Sequence, residues 1–155
     1  IRTNADELTY HLHVLIRYEI EKSLIEGNIM VKDLPKIWNL KYQEYLGIEV
    51  PSDSLGVLQD IHWSHGSFGY FPTYTIGSFY AAQFFNQAKI ENPNLLKEIE
   101  DGNNKNLLEW LRKNIHHNGK RFDAHQLCEK ISGEKLNFKY FKEYVIEKYS
   151  KIYSL

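Results

Sequence analysis

A chain of 155 residues, 43% apolar and 25% charged, is long enough for one core and ordinary in composition for a globular protein. Its formal net charge of -1 lacks the basic footprint that nucleic acid or an anionic membrane would require. The single cysteine, Cys128, excludes an internal disulfide, and no apolar run reaches membrane length, so a reducing cytoplasm is the expected setting. The chain opens on Ile1-Arg2 and its only methionine is Met30, which suggests a piece of a longer polypeptide.

Asn4 or Asp6 is placed to cap a first helix starting near Ala5, with Asp6 and Glu7 at its positive end. Leu8, Leu12, Leu15, Ile16 and Ile20 recur at helical spacing until Gly27-Asn28 stops the run. His11 and His13 lie on it, with His13 placed toward a groove. Asp33-Leu34-Pro35 opens a second helix that Gly47 closes. Val50 to Gly56 is a loop by composition.

From Thr73 to about Ile90 the sequence is apolar nearly all round, which predicts a buried helix. Asn92-Pro93 punctuates, and short helices follow over Leu95–Glu100 and Asn104–His116. Asp123-Ala124-His125-Gln126 has the form of a capping box, and Asn137 is placed to cap the last helix. No alternation of period two persists. The expected fold is all-α, one helical domain or lobe over residues 1–155.

Between the second helix and the apolar one lies an irregular stretch rich in hydrogen-bonding side chains: Gln59, Asp60, His62, His65, Tyr70 and Tyr74. A carboxylate beside an imidazole fixes its tautomer, and imidazole and phenol both donate to a developing oxyanion. An arginine such as Arg2 is the natural fork for a carboxylate. Residue types alone describe a site for an anionic, peptide-like ligand.

Two motifs narrow this. Ile1-Arg2-Thr3-Asn4-Ala5-Asp6 fits I-R-x-x-A-D, and Gly56-Val57-Leu58-Gln59-Asp60-Ile61-His62-Trp63 fits G-x-x-Q-D-x-H-W, with Gly69 to Tyr74 following. Together with the charged pattern from Glu7 to Glu21, they resemble the thermostable carboxypeptidase Taq family of zinc metallocarboxypeptidases. The resemblance implies the C-terminal, helical part of a two-lobed, deep-groove fold. It also implies a homodimer that removes C-terminal residues from peptides. Such enzymes hold zinc through an HExxH motif and a downstream glutamate. No histidine here precedes a glutamate, so zinc belongs to the full-length enzyme, and this chain alone is expected to bind none and to be inactive.

Carried over by motif, His62 and Tyr74 face the scissile carbonyl and Arg2 grips the terminal carboxylate. Tyr70 assists with that carboxylate, while Gln59 and Asp60 contact substrate or support those that do. The implied partners are a peptide C-terminus, the N-terminal part of the same enzyme and a second copy. Plainer roles stand beside these: Asp60 as a helix cap, Trp63 as packing, Cys128 as a buried apolar residue. The alternative for the whole chain is a stand-alone helical module that binds peptides, or dimerises, without catalysis.

Overall fold

The computed structural model describes residues 5–154. Among them there is no strand, and eight α-helices follow one another with short 3-10 turns between. They are α1 (Tyr10–Ile25), α2 (Leu34–Leu46), α3 (Ile61–Ser64), α4 (Pro72–Glu91), α5 (Leu95–Glu100), α6 (Lys105–Asn114), α7 (Ala124–Ser132) and α8 (Lys139–Tyr153). The all-α expectation holds. The chain divides into two compact units, one up to Ile76 and one from Gly77, so the division falls inside α4.

In the first unit the helix starts later than expected. Asp6 accepts from the backbone N–H groups of Leu8 at 3.0 Å and Thr9 at 2.7 Å, forming a turn, and α1 begins at Tyr10. Asn4 lies outside the described residues. The stop is as predicted: α1 ends at Ile25 and Gly27 takes a φ of 73°, which an L side chain resists. The buried face of α1, however, is not a simple apolar stripe. Ile16 and Ile20 are buried, but so are His13, Arg17 and Glu21, while Leu8 and Leu15 are exposed.

Pro35 sits in the first turn of α2, and Gly47 closes that helix in the left-handed region, φ 65°. Ile16, Ile20, Trp38, Tyr42, Val50 and Val57 form the buried cluster, with Trp63 packed against it. Gly56, which opens the second motif, is fixed by close approach. A Cβ there would lie 2.6 Å from Val50 Cγ1 and 3.2 Å from the Ser52 carbonyl oxygen.

The second unit packs Ala88, Leu95 and Trp110 together, flanked by Phe84, Phe85, Leu107 and Leu111. The predicted capping box is present: Asp123 accepts from Gln126 N at 2.8 Å, and Gln126 Oε1 accepts from Asp123 N at 3.2 Å. Asn137 does not cap the last helix as expected: the N-cap of α8 is Phe138, without a side-chain cap, and Asn137 one residue earlier accepts from Lys139 N at 3.0 Å. A second expectation fails here. Helix α4 is not buried all round: of its residues only Gln83 and Ala88 are buried, because the described residues cover only part of its circumference.

Candidate active site

Asp60 ends a 3-10 turn and begins α3, whose short length follows from Gly66 at φ 80° two residues after it. Its carboxylate Oδ1 accepts from His62 N at 2.9 Å and more distantly from Trp63 N at 3.4 Å, so it caps α3. Oδ2 accepts from Arg17 Nε at 2.8 Å, in an ion pair whose side chains are 1% and 0% exposed. Both oxygens are thus engaged beneath the surface.

The expected grip of this carboxylate on the imidazole is not what the geometry shows. His62 Nδ1 stands 3.7 Å from Oδ1, beyond hydrogen-bond distance, and that buried nitrogen has no hydrogen-bond partner among the described residues. Asp60 instead holds the backbone that carries the ring. The physical reason is competition: amide N–H groups at the start of α3 point at the same oxygen.

The other imidazole nitrogen faces outward. His62 Nε2 lies 3.3 Å from the Tyr74 hydroxyl, with Tyr74 in the first turn of α4. Tyr70 stacks on the imidazole, centroids 5.6 Å apart and planes 17° from parallel, and meets Tyr74 edge-on at 5.4 Å. Phe71, fully buried, closes the edge of the His62 ring at 4.5 Å. Tyr70 and Tyr74 are themselves exposed, so the structure brings one imidazole and two phenols together at an open surface.

Gln59 is exposed, its amide nitrogen donating to the carbonyl of Ser54. Arg2 lies outside the described residues. His65 is bound to Ser67, Nδ1 to Oγ 2.9 Å. His13, placed toward a groove by sequence, is instead buried with Nδ1 3.1 Å from the Tyr42 hydroxyl. His11 Nδ1 reaches Thr75 Oγ1 at 2.9 Å, and burial lowers its pKa against an opposing effect of Glu7.

Sequence reasoning gave no role to the residues behind the cluster. The Arg17 guanidinium also donates to the His13 carbonyl at 2.8 Å and to the Tyr42 hydroxyl at 3.1 Å, lying over the rings of Trp38 and Phe71. Glu21 accepts from Trp63 Nε1 at 2.6 Å and from Gly69 N at 3.0 Å. The available signal was spacing: His13, Arg17 and Glu21 are four apart, on one helix face.

The model of the carboxypeptidase Taq (M32) metallopeptidase family matches residues 1–149. The chain belongs to that family. It is 44% identical over 155 residues to Carboxypeptidase 1 of Bacillus subtilis, covering all of this chain and 31% of that protein. It is 43% identical over 153 residues to Thermostable carboxypeptidase 1 of Thermus thermophilus, covering 99% of this chain and 30% of that one. In structure it is similar to the M32 carboxypeptidase of Deinococcus radiodurans, with a TM-score of 0.96 and 39% identity, covering all of this chain and 31% of the other. The chain therefore spans about a third of the length of these relatives.

Membership of a metallopeptidase family implies a divalent metal in the full-length enzyme. Among the described residues no group of three or more His, Cys, Asp or Glu side chains is arranged to hold one. No described helix is long and apolar enough to cross a membrane.

A groove of about 510 Å³ also occurs in the second unit, lined among others by Phe85, Tyr140, Tyr144, Lys89 and Glu147. It contains no residue of either motif.

Proposed function

We propose that this chain is the C-terminal part of a metallocarboxypeptidase that removes C-terminal residues from peptides, with zinc held by an HExxH region elsewhere in the enzyme. The observation that carries the reading is the pairing of His62 Nε2 with the Tyr74 hydroxyl at 3.3 Å on an open surface. Two polar hydrogens on adjacent groups can point at one oxygen. As the scissile carbonyl gains negative charge, imidazole and phenol exchange their mutual contact for it and donate to it from places already set by Tyr70, Phe71 and α4.

Tyr70 holds the imidazole plane by stacking and, with Arg2, takes the terminal carboxylate of the peptide. Asp60 supports the others from below, since its buried carboxylate faces Arg17 and the start of α3 rather than solvent. Gln59 has its amide on Ser54 and would contact substrate only after releasing it. The same reading takes the full-length enzyme to be a cytoplasmic homodimer and the isolated chain to be inactive.

Tyr74→Phe in the full-length, metal-loaded enzyme tests the pairing. Loss of one preorganised donor is expected to lower turnover about 100- to 1000-fold, with metal content unchanged. Unaltered turnover would remove Tyr74 from the mechanism. Metal-dependent release of C-terminal residues by the isolated chain would overturn the division of labour.

A further inference from the structure

His62 lies in the short helix α3 and Tyr74 in the first turn of α4, and the connection between them, which carries Tyr70, has little regular hydrogen bonding of its own. Between Trp63 and Gly69 the backbone turns back, with Gly66 N donating to the Trp63 carbonyl at 3.1 Å and Ser67 N to the His62 carbonyl at 2.8 Å. Gly66 and Gly69 both take positive φ, 80° and 76°. A segment of this kind has many alternative conformations unless something outside it selects one.

That something is on α1. Glu21 is 4% exposed, and its two carboxylate oxygens take one donor each from the two ends of the segment. Oε1 accepts from the indole N–H of Trp63, which follows His62, and Oε2 accepts from the backbone N–H of Gly69, which precedes Tyr70. One rigid helical side chain therefore fixes the separation between the residues adjoining the imidazole and the phenol that stacks on it. Only a carboxylate satisfies this geometry. An amide of the same shape has one acceptor and would turn its NH₂ group toward one of the two donors.

We propose that Glu21 is a positioning residue for catalysis: it staples the Trp63–Gly69 segment so that Tyr70 stays stacked on His62 and the His62 ring stays in register with Tyr74. Arg17, one helical turn earlier, fixes the other side of the same ring through Asp60 and Phe71. This rests on the functional reading of His62 and Tyr74 given above, since positioning has a kinetic meaning only if those groups act.

The test is a double-mutant cycle in the full-length, metal-loaded enzyme, using Glu21→Gln and His62→Ala. Glu21→Gln is expected to lower kcat about 10- to 100-fold, with KM and metal content little changed. In the His62→Ala background the same substitution is expected to cost little more, because the ring it positions is gone. Trp63→Phe, which removes the indole N–H and keeps an aromatic ring, is expected to reproduce part of the loss. An equal fold-loss in both backgrounds overturns the proposal, as does full kcat in both Glu21→Gln and Trp63→Phe. A kcat indifferent to His62→Ala overturns the functional reading, and the positioning role with it.

Discussion

Up to Ile76 the described residues bury four polar or charged side chains, His13, Arg17, Glu21 and Asp60; from Gly77 onward they bury one, Gln83. The partners differ as much as the numbers. In the first unit the buried groups reach from α1 to Asp60, Trp63 and Gly69, all within the segment that carries the candidate site. In the second, Gln83 donates to Ser132 Oγ at 2.8 Å and the Lys135 carbonyl at 3.2 Å, and accepts from Asn137 N at 2.9 Å. It ties down the turn between α7 and α8. A buried ion pair stabilises little compared with well-packed apolar residues, so a core that retains one where packing would suffice points to a demand other than stability. In the functional reading proposed above, that demand in the first unit is the placement of His62 and its neighbours.

Breaking the Arg17–Asp60 pair should have the largest effect on folding. Arg17→Met leaves the Asp60 carboxylate buried without its counter-charge, and a loss of about 3–5 kcal/mol is expected from denaturant unfolding of the full-length enzyme. A loss near zero would show that the pair is not the support described here.

Gly56→Ala sharpens the same point on the packing side. The added methyl meets Val50 and the Ser52 carbonyl, and overpacking of this sort is expected to cost about 1–3 kcal/mol. In the second unit Gln83→Leu strands the Asn137 amide, at an expected cost of about 1–3 kcal/mol. The two units should then part company kinetically. Gln83→Leu should leave kcat of the folded enzyme unchanged, and a fall in kcat comparable with that of Glu21→Gln would erase the contrast.

The smallest effect lies at the surface of the second unit. Lys139, with Tyr140 and Asn137, holds Glu134 at a pKa of about 2. Because the folded value is depressed, the contribution is complete above the ordinary carboxylate range and is lost as pH falls toward about 2. Lys139→Met should move the Glu134 titration upward, seen by carboxyl NMR, with no change at the His62 cluster.

Much of the local structure was legible because the signals for it are local. Proline in the first turn of α2, glycine after it, and the Asp123–Gln126 box each act within four residues, and each element starts or stops where they stand. The two motifs carried the family and drew attention to His62 and Tyr74. Apolar pattern misled in two places. Leu8 and Leu15 were expected on the core side of α1 and are exposed, and α4 reads as buried yet remains half open. This chain spans about 30% of its relatives' length.

The order of the helices, the Asp123–Gln126 box and the family were thus settled by residues close together in the chain, where turn geometry and motif spacing leave few alternatives. Which face of α1 is buried was settled only in three dimensions. Arginine and glutamate have the composition of surface residues, and burying them is tolerable only when donors and acceptors meet them. Asp60 lies 43 residues from Arg17, and Gly69 lies 48 from Glu21, so only the folded chain could supply those partners.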